Sequence, residues 1–343
     1  MKALTLSAPN ELRYGEVPDP EVHAGEVLID VRACGVCGSD IHGMDGSSGR
    51  RIPPIIMGHE AAGTIGRVGA GVTGWSAGDR VTFDSTIYCG TCAYCGRGQV
   101  NLCDRRRVLG VSCDDYRQPG AFAERVVVPA HIVHRLPDGV TFIQGALVEP
   151  LAIALHAISR LGDEIEGPVV VVGAGVIGLM VIQALHARGI DELIAVDIDG
   201  SRLERARGLG AQPVTGGDPG VVAKTVSQML SDREAGIVFD AVGMRATVEL
   251  AVGLTRKGGS VVLVGNLAPR VDLPLQAVVT RELTLLGSAT SAGEFPLAIA
   301  MIAEGRIDVG AMVSAVVPLR EGGPWMHRLQ AGDPSLLKVI FEP

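Results

Sequence analysis

The chain has 343 residues, of which 47% are hydrophobic and 20% charged, and a formal net charge of −8. That length suits two cores better than one, and the apolar content excludes a disordered chain. The acidic balance excludes nucleic acid and anionic membrane surfaces as the main expected partners.

The first stretch, MKALTLSAPNELRYGE, lacks the apolar core of a signal peptide, so a cytoplasmic location is expected. Under reducing conditions, seven cysteines are better explained as ligands than as disulfides. Residues 1–145 hold short alternating runs broken by proline and glycine, such as EVLIDVRACG, GTIGRVGAGV, DRVTFDS and AFAERVVVPA. These predict the strands of a mostly antiparallel, barrel-like domain. A helical segment starts near Gly145 and runs through ALVEPLAIALHAISR.

Strands and helices then alternate. The predicted strands are Val169–Val172, Leu193–Asp197, Gln212–Thr215, Ile237–Asp240, Ser260–Val264 and Leu283–Leu286. Helical segments such as SRLERARGLG and VVAKTVSQML separate most of them, which implies a doubly wound parallel sheet. After Gly287 a helix, EFPLAIAMIAEG, and a strand, MVSAVVPL, are expected to return to the first domain. Residues 167–187 carry no formal charge and have the length of a membrane span. Spaced glycines and early β-branched residues favour a buried strand, a turn and a buried helix instead.

Two cysteine groups suggest different chemistry. Cys89, Cys92, Cys95 and Cys103 form C-x2-C-x2-C-x7-C, a spacing that lets four thiolates close a tetrahedral shell around one zinc. A closed shell has no room for substrate, so this zinc is structural; an iron–sulfur cluster and unmetallated thiols are the rival readings. Cys37, in GVCGSDIH, stands apart. Its possible partners are His59 and Glu60 in MGHEAAG, and such a set would leave a zinc position open for an alcohol oxygen. Glu149, in the apolar run LVEPLAIA, is a further candidate, because a buried carboxylate needs a compensating charge.

The run Gly173-Ala174-Gly175-Val176-Ile177-Gly178 lies between a predicted strand and a predicted helix, the context of a dinucleotide loop. Gly173 permits the turn, Gly175 lets the backbone approach pyrophosphate, and Gly178 lets helix and strand pack. Asp197 follows Gly178 by nineteen residues and would accept hydrogen bonds from a ribose 2′-hydroxyl, favouring NAD over NADP. Arg202 either blunts that preference or is a surface arginine of the next helix. Three basic side chains, Arg105–Arg107, read as a solvated loop rather than a phosphate clamp.

Together these motifs resemble the zinc-containing medium-chain alcohol dehydrogenases, in particular the sorbitol (polyol) and threonine dehydrogenase branch, over essentially the whole chain. The likeness rests on GVCGSDIH, GHEAAG with Gly69 and Val72, the four-cysteine lobe, LVEPLA and GAGVIG. It implies a GroES-like catalytic domain at 1–148 and 288–343, with a zinc lobe at 85–110, and a Rossmann domain at 149–287. It also implies two zinc ions per subunit, NAD, a small-molecule alcohol substrate, and a homotetramer or homodimer. Position by position, it makes Cys37, His59 and Glu60 catalytic zinc ligands, with Glu149 binding zinc directly or through water. Ser39 becomes the hydroxyl that meets the substrate, Asp40 the carboxylate that orients the ligand histidine, and His42 a proton-relay group. The cofactor cleft is expected between the domains, lined by Val176, Ile177, Val242, Val264, Asn266 and Ser288. The expected reaction is oxidation of a secondary alcohol to a ketone. Sorbitol itself is disfavoured, because Gly287–Ser291 lacks the Arg-Tyr pair that sorbitol dehydrogenases commonly carry there. Arg50 and Arg51 read as solvated, or as partners of a phosphate or carboxylate on the substrate. A phosphorylated sugar alcohol, a scaffold without turnover and a zinc-free reductase are the alternatives.

Overall fold

The computed structural model describes residues 1–162 and 165–343. They divide into two compact units, Met1–Ala152 with Ser291–Pro343, and Ile153–Thr290. Glu149, read from sequence as the first residue of the dinucleotide domain, falls in the first unit.

The first unit is organised around the strand Glu26–Gly35, whose alternating apolar residues are mostly buried. Glu60–Val68 pairs antiparallel with it along one edge. The other edge is shared: Arg125–Pro129 pairs with its first half, and Lys338–Glu342 with its end. Phe83, Phe122 and Phe341 fill the core beneath, with Phe122 and Phe341 edge to face at 5.1 Å between ring centroids. Gly35 is the hub for function. It lies opposite Glu60 on one side and Ile340 on the other, so the residues after it emerge between two distant parts of the chain.

The second unit holds a parallel sheet of six strands among the described residues. In chain order they are Val169–Val172, Leu193–Asp197, Gln212–Thr215, Ala235–Asp240, Thr255–Leu263 and Thr284–Gly287. They lie side by side in the order third, second, first, fourth, fifth, sixth. All four valines of the first strand are buried, as a central strand covered on both faces requires. The fifth strand begins at Thr255, earlier than the Ser260 expected from sequence. Gly258, at φ +70°, absorbs a bend that the pattern Lys-Gly-Gly hides. The uncharged run at 167–187 divides into the first strand and the helix Val176–His186. No helix among the described residues is long and apolar enough to cross a membrane.

The order reverses beside the first strand, where the loops after the first and fourth strands diverge. Ala241 N–H donates to the Val172 carbonyl, Val264 N–H to Asp240, and Ser288 N–H to Leu263, so each loop is fastened to the strand next to it. These loops lie at the carboxyl ends of the strands.

Candidate active site

Cys37 precedes the short helix Gly38–Gly43, and Asp40 closes that turn by accepting the Cys37 backbone N–H at 3.2 Å. Glu60 opens the strand paired with Gly35, and Gly58, at φ +88°, makes the turn that delivers His59 beside it. One ligand atom from each of Cys37, His59 and Glu60 lies within 4.8 Å of the others. His59 Nδ1 faces Asp40 Oδ1 at 3.6 Å, leaving Nε2 as the ring's other coordinating atom.

Glu149 lies outside that close set, but its carboxylate feels His59 and Glu60. Oε1 accepts from Ser85 Oγ at 3.1 Å, while Oε2 is buried without a hydrogen-bond partner among the described residues. Burial first, then the neighbouring Glu60 and Asp84 carboxylates, push Glu149 up to about 7 against the pull of His59. Asp84 is itself pushed up to about 6 by burial, with Ser291 Oγ 3.5 Å away. A half-buried thiol with a buried imidazole and two buried carboxylates, one with an orphaned oxygen, is a donor set suited to zinc.

Lys338 was not legible as a site residue. Its Nζ donates to Glu60 Oε2 and, at 3.0 Å, to the Val36 carbonyl, and the side chain is buried. Burial disfavours its charge, but Glu60 and Cys37 outweigh that and hold it protonated. Removing one partner of such a buried pair costs about 3–5 kcal/mol, because the other charge is left uncompensated. The available signal is the lysine in LLKVIF, a charge within an apolar strand.

Arg51 corrects the sequence reading. It is only 3% exposed and is not solvated. Its guanidinium pairs with Asp40 Oδ1 at 3.0 Å, and together with His59 it overcomes the effect of burial and holds Asp40 well below the usual carboxylate range. Arg50 remains exposed. Ser39 is exposed beside Cys37. His42 is exposed at the end of the same helix.

The four-cysteine lobe is a separate centre. The four sulfurs lie within 4.8 Å of one another. Sulfurs about 2.3 Å from a common zinc stand about 3.8 Å apart; Cys89–Cys95 is 3.9 Å and Cys92–Cys95 3.5 Å. Backbone N–H groups of Thr91 and Arg105 point at Cys89 and Cys103. The basic run braces this lobe: Arg105 donates to Thr91 Oγ1, and Arg106 to the Asn101 carbonyl at 2.9 Å.

In the second unit, a Cβ on Gly178 would collide with the Gly173 carbonyl oxygen, whereas a Cβ on Gly175 would meet nothing within 4 Å. The loop is therefore tight below and open above, at the N-terminus of the helix Val176–His186, which suits a pyrophosphate. Asp197 Oδ2 accepts from Ala174 N–H at 2.7 Å and Oδ1 from Asp199 N–H at 2.9 Å, fixing the carboxylate at the loop. Arg202 leans on Asp197 at 4.0 Å and on Asp199 at 3.8 Å. Gly243 and Gly265 pack backbone to backbone, setting Val242 and Asn266 at the strand ends. The Ser288 hydroxyl is buried without a partner among the described residues.

A parallel-sheet dinucleotide unit joined in one chain to a barrel with an open zinc donor set defines a metal-dependent oxidoreductase. The alcohol dehydrogenase GroES-like domain matches residues 23–138, and the zinc-binding dehydrogenase domain residues 176–304. Sorbitol dehydrogenase of Bombyx mori is 34% identical, covering 99% of this chain and 97% of its own length. D-arabitol-phosphate dehydrogenase of Enterococcus avium is 32% identical over 100% and 97%. A solved alcohol dehydrogenase of E. coli CFT073, complexed with NADH, superposes with a TM-score of 0.91 at 28% identity, covering 100% of this chain and 99% of that one. The chain belongs to the zinc-containing medium-chain alcohol dehydrogenase family, in its polyol branch. It is a zinc-dependent oxidoreductase of alcohols that uses a nicotinamide dinucleotide.

Proposed function

We propose that this enzyme oxidises a secondary carbinol of a small polyol or hydroxy compound to the ketone, with NAD as hydride acceptor. The observation that carries the reading is the convergence of Cys37, His59 and Glu60, with the orphaned Glu149 oxygen beside them and the Ser39 hydroxyl exposed next to Cys37. Zinc held there would supply a Lewis acid for the alcohol oxygen, and bound NAD would take the hydride. Ser39 would receive the hydrogen bond of the substrate hydroxyl. Asp40 orients His59, and Lys338 holds Glu60 in place. His42, exposed, would pass a proton towards solvent. The polyol preference is supported by the names of the relatives, sorbitol dehydrogenase among them. Arg51 is committed to Asp40, which removes one of the two side chains that a phosphorylated substrate would have used.

NADH production across matched polyols, sugar alcohol phosphates, vicinal diols, β-hydroxy amino acids and primary alcohols tests the reading. Turnover of small polyols or diols is expected. Turnover of primary alcohols alone would overturn the secondary-carbinol assignment, and no NADH with any alcohol would leave a scaffold. The proposal extends to a cytoplasmic homotetramer or homodimer, which light scattering of the purified protein would test for assembly.

NAD is expected to be used in preference to NADP, because the Asp197 carboxylate, buried and tied to Ala174, would face a 2′-phosphate. Asp197→Ala should narrow the ratio of kcat/KM values by roughly tenfold or more, the scale of one uncompensated charge contact. Equal efficiency with both cofactors in the parent enzyme would contradict this.

A further inference from the structure

We propose that Arg51 is a positioning residue for the reaction: one guanidinium nitrogen ties the Ser39 hydroxyl to the Asp40 carboxylate, so that the group meeting substrate and the group orienting His59 are held as one unit. Arg51 Nη2 lies 3.3 Å from Ser39 Oγ and 3.0 Å from Asp40 Oδ1. Its Nη1 donates to the Arg50 carbonyl at 3.1 Å. The inference rests on the role assigned above to Ser39.

The arginine is anchored from behind. Its backbone forms a bridge with Ser112, flanked by Ser112 N–H on the Arg50 carbonyl at 3.1 Å and Ile52 N–H on the Ser112 carbonyl at 3.0 Å. Its stem crosses the helix at Gly43, where a Cβ would fall 2.5 Å from Arg51 Cγ. The guanidinium is thus fixed by a part of the chain other than the Gly38–Gly43 helix it grips. A guanidinium only donates. Ser39 must therefore accept from Arg51, which occupies one side of its oxygen and leaves its own proton and second lone pair for other partners. Folding has no evident use for this contact, because Ser39 is exposed. Neutralising Arg51 needs only Asp40. A direct substrate contact is a poorer reading, since the side chain is 4% exposed and both terminal nitrogens are engaged.

The test uses Arg51→Met and Arg51→Lys, each in the parent and in a Ser39→Ala background. Arg51→Met is expected to lower kcat/KM for the best alcohol roughly 10- to 100-fold in the parent, mostly in kcat and with the KM for NAD unchanged, as loss of a charge-assisted hydrogen bond predicts. In the Ser39→Ala background the same change should cost several-fold less than in the parent, the remainder being the loss of the Asp40 contact, because coupled residues are not additive. Arg51→Lys should recover part of the loss, and it carries the test if the methionine variant does not fold. A second readout needs no turnover. Zinc released from the intact protein to 4-(2-pyridylazo)resorcinol should leave the more labile site roughly tenfold faster in Arg51→Met, because Asp40 is no longer held against His59. Equal losses in both serine backgrounds would overturn the proposal. If the parent oxidises no alcohol, the functional reading fails by itself; zinc release then decides alone, faster release supporting the Arg51 role and unchanged release overturning it.

Discussion

Cys37→Ala is expected to abolish alcohol oxidation, lowering kcat/KM on the order of 1,000-fold or more, while the melting temperature stays near that of the parent. Loss of the thiolate leaves His59 and Glu60 with too few partners to hold a metal that supplies several kcal/mol of charge stabilisation. The fold survives for a local reason. The turn after Cys37 is closed by its backbone N–H on Asp40, and alanine keeps that N–H. Lys338 also stays paired with Glu60 through a contact that does not involve the thiol. Steady-state rates, zinc content and thermal unfolding on the same preparation check the result. Near-parent activity would show that zinc chemistry does not depend on Cys37.

Cys95→Ala is expected to act in the opposite order, damaging structure before chemistry. The lobe has almost no architecture of its own: a four-residue helix, a three-residue 3-10 turn, and a pair of two-residue strands, Thr86–Ile87 and Arg107–Val108. Most of its side chains from Cys89 to Gln99 are exposed or half-buried, so no apolar core replaces the metal. Cys95 lies within 3.9 Å of both Cys89 and Cys92 sulfurs, and its loss opens the shell. Metal binding at such a site is folding free energy. Zinc content should fall from two ions per chain to one, and limited proteolysis should cut within residues 89–107. A parent protein with a single zinc, or a variant as resistant to protease as the parent, would rule out a structural metal there.

The second unit was legible because each strand carries its own signal. Val169–Val172 and Leu193–Asp197 are short apolar runs ended by glycine or a polar turn, and nothing distant is needed to recognise them. Cys37, His59 and Glu60 could be singled out because few roles suit a thiol, an imidazole and a carboxylate in such turns. Lys338 could not be assigned, since 278 residues separate it from Glu60 and the pairing of Lys338–Glu342 with the end of Glu26–Gly35 brings them together. Arg51 sits in a stretch of glycine, serine and arginine that reads as solvated. What buries it is the missing side chain of Gly43, a matter of three-dimensional clearance that no local pattern expresses.

The strand Lys338–Glu342 has a consequence for how the enzyme comes into being. The barrel's central strand is finished only when this late segment slots in beside Cys34 and Gly35. A nascent chain that has emerged as far as Glu60 therefore exposes a carboxylate whose counter-charge, Lys338, is made 278 residues later. Closing so long a loop is slow, and the intermediate has an unpaired strand edge. Metal loading at Cys37, His59 and Glu60 is therefore expected to come late, whereas the four cysteines of the lobe, which span fifteen residues, are expected to take up metal while the ribosome is still working. Zinc bound by ribosome-stalled chains ending before and after residue 338 would show the two centres maturing at different times, and equal occupancy of both in the shorter chains would refute that order.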